Sequence, residues 1–130
     1  MANHLIKLND KQFRLYIPHS ELQQAIEKIA RKINADMKGK NPLFICVLNG
    51  AFIFAADLLK EISVDCEITF MRMKTYEGLH SSERIKEIQP LEVDIKNRTV
   101  IIVEDIVDTG FTICRIKEYL SDLSPKEVKV

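Results

Sequence analysis

The sequence lacks an excess of charge of either sign. Its 130 residues include 19 Lys and Arg against 19 Asp and Glu, so the formal net charge is zero. A protein that mainly coats nucleic acid or an anionic membrane needs an excess of cations, so we expect neither as a partner. Neutrality does not exclude an anionic ligand, because backbone N–H groups and a bound metal ion supply local positive potential.

Long apolar runs and paired cysteines are also missing from the sequence. No apolar run approaches the roughly 20 residues needed to span a bilayer, and the first ten residues lack the pattern of a signal peptide. Cys46, Cys66 and Cys114 are odd in number, lie in or beside apolar segments and form no CxxC pair. This usage indicates reduced thiols in a cytoplasmic protein. With 46% hydrophobic and 29% charged residues, the composition is that of a globular domain.

Hydrophobic patterning predicts strands that alternate with helices. After a β-hairpin over 4–8 and 13–17, we expect helices over 20–37, 51–61 and 112–120, strands over 43–48, 64–73 and 99–103, and the start of a strand at 127. Residues 74–90 are polar and predict a long loop, and 91–97 has room for a short strand. The order predicts an α/β fold, with a mostly parallel twisted sheet flanked by helices. Ligands of such sheets bind beyond the C-terminal strand ends, which here carry residues 48–50 and 104–112.

The segment that follows the strand over 99–103 combines two kinds of chemistry. Glu104 and Asp105 stand at the strand end, where their carboxylates suit sugar hydroxyls or a divalent cation. Asp108 follows, and then Thr109–Thr112 open a helix, where N–H and O–H donors suit a phosphate. One loop therefore has the parts of a ribose 5-phosphate site. Two acidic residues alone would be read as a solvated pair, and the adjoining Thr-Gly-x-Thr favours the ligand site.

This segment resembles the phosphoribosyl pyrophosphate (PRPP) motif of the type I phosphoribosyltransferases, in the wording of their hypoxanthine (6-oxopurine) branch. The resemblance extends over about residues 40–130. Three further segments agree with it, namely 46–52 with the pyrophosphate loop, 70–76 with the strand that enters the mobile catalytic loop, and 124–130 with the strand after the PRPP helix. It implies a cytoplasmic purine salvage enzyme that transfers the phosphoribosyl group from PRPP to hypoxanthine or guanine, uses Mg²⁺ and forms homo-oligomers.

The resemblance also implies a role for individual residues. Glu104 and Asp105 would hold the ribose hydroxyls and face Mg²⁺, and Asp108 would act as general acid and base near N7 of the purine. The 5-phosphate would be bound by Thr109, Gly110, Phe111 and Thr112, and the pyrophosphate by Leu48, Asn49 and Gly50, where the Leu48–Asn49 peptide is often cis in the family. Thr75 and Tyr76 match the Ser-Tyr pair of the mobile loop, with Thr in place of Ser.

The C-terminus departs from the family pattern and leaves alternatives open. The chain ends at Val130, one strand into the part that holds the purine in the family. We therefore expect a domain over 1–130 that is incomplete at its C-terminus and has no residue assigned to base recognition. One alternative is a non-catalytic fragment or regulator that binds PRPP or a nucleotide. Another is an assembly in which a partner chain pairs with the exposed last strand.

Overall fold

The chain forms seven strands and three helices in the residues that the computed structural model describes, 5–77 and 84–130. In chain order the elements are β1 (Leu5–Leu8), β2 (Lys11–Arg14), α1 (His19–Asp36), β3 (Leu43–Leu48), α2 (Phe52–Lys60), β4 (Glu67–Glu77), β5 (Arg84–Ile88), β6 (Thr99–Val103), α3 (Phe111–Ser121) and β7 (Glu127–Lys129). The three predicted helices are confirmed, and each of their ends shifts by one residue.

The five-stranded sheet has the order β5-β4-β3-β6-β7. Strand β3 pairs in parallel with both β4 and β6, and β6 pairs in parallel with β7, while β5 adds an antiparallel edge. The segments 43–48 and 99–103, in which Thr99 is the only polar residue, form the central strands β3 and β6, as expected of strands that are covered on both faces. The predicted α/β fold, with its mostly parallel sheet, is confirmed.

Helices cover both faces of the sheet, because alternate residues of the central strands point to opposite sides. On one face, Phe44 and Cys46 of β3 belong to the same apolar cluster as buried residues of α1 and α2. On the other face, Ile45 of β3 clusters with Ile116 and Leu120 of α3. The chain thus has two apolar layers, and the loops beyond the C-terminal ends of β3 and β6 lie between them at one edge.

The N-terminal hairpin is confirmed as a separate two-stranded sheet, but its second strand is Lys11–Arg14 and not the predicted 13–17. Strands β1 and β2 pair antiparallel with Leu8 opposite Lys11, around a turn in which Asn9 takes a φ of 55°. Asparagine tolerates this left-handed conformation because its short polar side chain bonds locally. Every residue of the two strands is exposed.

The prediction of a long loop over 74–90 is wrong for most of that segment. Strand β4 continues to Glu77, and β5 pairs with it so that Met73 lies opposite Ile88. The alternation that signals a strand is weak here, and long-range pairing decides the structure instead. Residues 78–83 lie outside the described part of the chain. The short strand allowed within 91–97 does not form, and Ile95 from this segment is buried in the second apolar cluster.

No helix in the described ranges, 5–77 and 84–130, has the length and apolar character that a membrane crossing requires. Cys46, Cys66 and Cys114 are all free, and their exposure rises in that order from buried to exposed. The three thiols form no disulfide with one another.

Truncation of a buried aromatic side chain in the sheet is expected to destabilise the fold. Phe44 of β3 is 0% exposed and packs in the cluster beneath α1 and α2. Phe44→Ala is expected to lower the free energy of unfolding by about 3–5 kcal/mol, because it removes buried apolar surface and leaves a cavity. Phe70→Ala makes the same chemical change on β4 at a side chain that is 53% exposed, and a smaller loss is expected. Urea denaturation checks both, and equal losses would contradict the assigned core.

Candidate functional site

Two loops meet at the C-terminal edge of the parallel sheet. Strand β3 ends at Leu48 and β6 ends at Val103, and the register pairs Cys46 with Val103, so both strands end at the same edge. A β-carbon built at Gly50 would lie 2.6 Å from Oδ2 of Asp105. Because real β-carbons essentially never approach another atom so closely, a larger residue at position 50 would displace the Asp105 carboxylate. The 48–50 turn therefore touches the acidic pair that follows β6, as the predicted site requires.

Glu104 lies half-buried at the end of β6. Its Oε1 accepts a hydrogen bond from the backbone N–H of Asp105 at 3.1 Å. Burial, followed by the hydrogen bond with the Asp105 side chain, raises the pKa of Glu104 to about 7. Burial, and then the charge of Glu104, likewise raise the pKa of the Cys46 thiol. A carboxyl group that binds its proton this tightly favours a ligand that restores its charge, such as a cation or a set of hydroxyl donors.

The raised pKa of Glu104 predicts how stability depends on pH. The folded chain keeps the Glu104 proton up to about pH 7, whereas the unfolded chain loses it near 4.5. The folded state therefore binds more protons in this window, and this contribution to the free energy of unfolding is lost as the pH rises from about 4.5 through 7. Glu104→Gln has no such proton to lose, so its denaturation midpoint should fall less over the same range. Urea denaturation between pH 5 and 8 compares the two, and identical profiles would contradict the assignment.

The start of α3 forms a small cavity. Gly110 precedes the helix with a φ of 82°, the left-handed conformation that glycine adopts without strain. Thr109 Oγ1 accepts a hydrogen bond from the backbone N–H of Phe111 at 3.3 Å. Residues 106–113 line a cavity of about 240 Å³, which includes Asp108 and Thr112. The first N–H groups of a helix have no partner within it, so this cavity suits an anion.

The turn after β3 has the backbone that the resemblance implied, because the Leu48–Asn49 peptide is cis. The side chain of Asn49 in this turn contacts Arg72, a residue to which the sequence analysis assigned no role. Nη2 of Arg72 donates a hydrogen bond to Oδ1 of Asn49 at 3.1 Å. The parallel register, which places Leu48 opposite Arg72, explains the contact. Sequence reasoning missed Arg72, because no local pattern specifies this register.

Thr75 and Tyr76 do not lie in a long loop. Both belong to β4, where their backbones pair with Lys86 and Ile85 of β5. Their side chains fall outside the described part of the structure, so their predicted contribution to the site stays a prediction. The other predicted site residues lie in the turn 48–50 or in the segment 104–112, at the same edge of the sheet.

The site suits a divalent cation only in part. Within the residues that the structure describes, no group of three or more His, Cys, Asp or Glu side chains is arranged to hold a metal ion. Glu104 and Asp105 supply carboxylate oxygens, the donors that Mg²⁺ prefers. Magnesium keeps several waters and is commonly completed by substrate phosphates, so two carboxylates fit such a shared site but not a site made by protein alone.

Comparison with known proteins agrees with this geometry. The family model described as "Phosphoribosyl transferase domain" matches residues 17–130. The chain belongs to this family. It is 33% identical over 118 residues to the hypoxanthine-guanine phosphoribosyltransferase of Streptococcus pneumoniae strain R6, covering 90% of this chain and 66% of that one. It is 37% identical over 123 residues to the bifunctional protein TilS/HprT of Listeria innocua, covering 94% and 19% respectively.

Solved structures of the family share the fold. A crystal structure of a hypoxanthine-guanine phosphoribosyltransferase from Bacillus anthracis superposes with a TM-score of 0.76 at 31% identity, over 87% of this chain and 67% of that one. The resemblance given by the PRPP motif is thereby confirmed at the level of the family and its fold. The chain spans slightly less than two thirds of the Streptococcus pneumoniae relative and about a fifth of the Listeria protein.

Proposed function

We propose that the chain provides the PRPP site of a purine salvage enzyme. The reaction would transfer the 5-phosphoribosyl group from PRPP to hypoxanthine or guanine, with release of pyrophosphate and formation of IMP or GMP. The contact between Gly50 and Asp105 is the main support, because it joins a turn suited to pyrophosphate with a carboxylate pair suited to ribose. The relatives named hypoxanthine-guanine phosphoribosyltransferase support the same substrate class.

The segment 104–112 would bind the ribose 5-phosphate part of PRPP. Carboxylates of Glu104 and Asp105 accept hydrogen bonds from the two ring hydroxyls. Gly110, Phe111 and Thr112 line the cavity at the start of α3, where their backbone N–H groups would suit the 5-phosphate. The ribose would then lie across the sheet edge with its C1 atom turned toward the 48–50 turn.

The transfer step needs a proton acceptor, a stabilised leaving group and a dry site. A purine nitrogen forms a bond to C1 as the bond to pyrophosphate breaks, and pyrophosphate leaves with the bonding electrons. Asp108, exposed beside the helix start, would exchange a proton with the purine near N7. Leu48, Asn49 and Gly50 would hold the pyrophosphate, and the segment with Thr75 and Tyr76 would exclude water when it closes.

Magnesium would supply positive charge to the pyrophosphate when bound at Glu104 and Asp105. Such local compensation fits the zero net charge of the chain, which gives no overall attraction to an anionic substrate. We further propose that the protein is cytoplasmic and forms a homo-oligomer. The exposed apolar side chains of the N-terminal hairpin, such as Leu5, Ile6 and Phe13, support the oligomer.

A turnover assay tests the proposed function. The chain is incubated with PRPP and Mg²⁺ and with hypoxanthine or guanine, and pyrophosphate release is followed together with PRPP binding. Release that depends on the purine supports the enzyme. Binding of PRPP without release would favour the alternative of a non-catalytic fragment or regulator. Failure to bind PRPP would contradict both.

A further inference from the structure

Arg72 connects the pyrophosphate turn to the neighbouring strand. It lies in β4 at the last pair of the ladder with β3, opposite Leu48. Its carbonyl oxygen accepts a hydrogen bond from the backbone N–H of Gln89 at 2.8 Å, on the side away from β3. The backbone of Arg72 is therefore fixed from both sides, while its exposed guanidinium reaches the Asn49 side chain.

The hydrogen bond to Arg72 determines which end of the Asn49 amide is available to a ligand. An asparagine amide is planar, with an oxygen that accepts and an NH₂ group that donates two hydrogen bonds. Arg72 takes the oxygen at 3.1 Å. Because an arginine can only donate, this pairing keeps the NH₂ group on the other branch of the amide. That branch can then donate to an anion.

The acidic residues at the sheet edge make a positive charge beside the 48–50 turn favourable for binding an anion. Glu104, Asp105 and Asp108 bring three carboxylates to the edge at which an anionic group would have to bind. The positive guanidinium of Arg72 offsets part of this negative potential from the side of the 48–50 turn. It also keeps a partial negative charge, the amide oxygen, directed away from the ligand.

We propose that Arg72 is a positioning residue for pyrophosphate. It holds the oxygen of the Asn49 amide so that the NH₂ group of the same amide donates to the pyrophosphate oxygens. This inference rests on the proposed function, since it assigns a role within the same site. It adds to the site a residue of β4, whereas the 48–50 and 104–112 segments follow β3 and β6.

A double-mutant cycle on the full chain tests the proposal. Binding of inorganic pyrophosphate with Mg²⁺ is measured by calorimetry for Arg72→Gln, Asn49→Ala and the double variant. Each single change is expected to weaken binding about tenfold, and the double variant is expected to be no weaker than Asn49→Ala alone, because Arg72 acts through Asn49. Arg72→Lys keeps a charge and donors but not the planar fork, so intermediate binding is expected.

Binding of a second ligand distinguishes a specific effect on the pyrophosphate site from a general disturbance of the protein. Ribose 5-phosphate lacks the pyrophosphate group, so its affinity should stay unchanged in the Arg72 variants. Arg31→Gln, at an exposed arginine of α1, is the matched control and should alter neither affinity. Thermal melting checks that each variant is folded, and Arg72→Lys keeps the role of Arg72 testable if Arg72→Gln unfolds.

Several outcomes would overturn the proposal. Unchanged pyrophosphate binding in Arg72→Gln, additive losses in the double variant, or an equal loss for ribose 5-phosphate would each contradict the positioning role while leaving the proposed function in place. Absence of both pyrophosphate and PRPP binding in the unsubstituted chain would contradict the proposed function, and the role of Arg72 with it.

Discussion

Asp108→Asn is expected to lower the turnover of PRPP with hypoxanthine by about 10²–10⁴-fold, the range that a general acid and base contributes. The substitution keeps the size of the side chain and removes its capacity to exchange a proton. Asp108 is exposed at the rim of the cavity that opens α3, so its replacement should leave folding unchanged. PRPP affinity should change much less than turnover, because the phosphate donors are backbone groups. Steady-state kinetics and calorimetry measure the two quantities.

Asp122→Asn is a matched control, since it makes the same change at the other end of α3. Its turnover should equal that of the unsubstituted chain. Near-normal turnover in Asp108→Asn would remove Asp108 from the proton-transfer role. A parallel loss in the two variants would mean that the helix tolerates neither change and would leave no special role for Asp108.

Gly50→Ala is expected to weaken PRPP binding by about tenfold to a hundredfold with little loss of stability. The new methyl group would meet the carboxylate of Asp105, whose three outer atoms are its nearest neighbours at 2.6–2.9 Å. A carboxylate at the end of a side chain can rotate away, so the free energy of unfolding should change by only about 0.5 kcal/mol. The rotation would take Asp105 away from the ribose hydroxyls, and lost hydrogen bonds to a charged group account for the weaker binding.

Gly39→Ala provides the opposite pattern. Gly39 has a φ of 75° and no neighbour within 4 Å, so alanine fits in space but not in backbone conformation. We expect a loss of about 1–2 kcal/mol in stability with unchanged PRPP affinity, because residue 39 precedes β3 and lies at the other end of the sheet. Unchanged PRPP binding in Gly50→Ala would contradict the assigned contact between the turn and the acidic pair.

Much of the architecture follows from short segments of the sequence. The runs Leu43–Leu48 and Val100–Val103 are continuously apolar, which is enough to predict central parallel strands. The rule that ligands bind beyond the C-terminal strand ends then brings residues 48–50 and 104–112 together. The structure confirms this, since Gly50 touches Asp105.

Features that depend on pairing between distant segments could not be predicted in the same way. Strand β5 forms because Arg84–Ile88 pairs with the end of β4, and the polar sequence of this segment lacks a strand period. The contact between Arg72 and Asn49 depends on register, which no local pattern specifies. The raised pKa of Glu104 depends on burial that only the packed sheet edge provides.

In the proposed function, the turn 48–50 and the segment 104–112 form a single PRPP site. Nuclear magnetic resonance of the ¹⁵N-labelled chain during titration with PRPP and Mg²⁺ tests it most directly, because Gly50 and Gly110 place one glycine amide in each segment and Gly39 lies at the opposite end of β3. If the two segments form one site, the Gly50 and Gly110 signals shift along one saturation curve while the Gly39 signal stays in place. Shifts confined to one of the two glycines, or no shift in either, would contradict it.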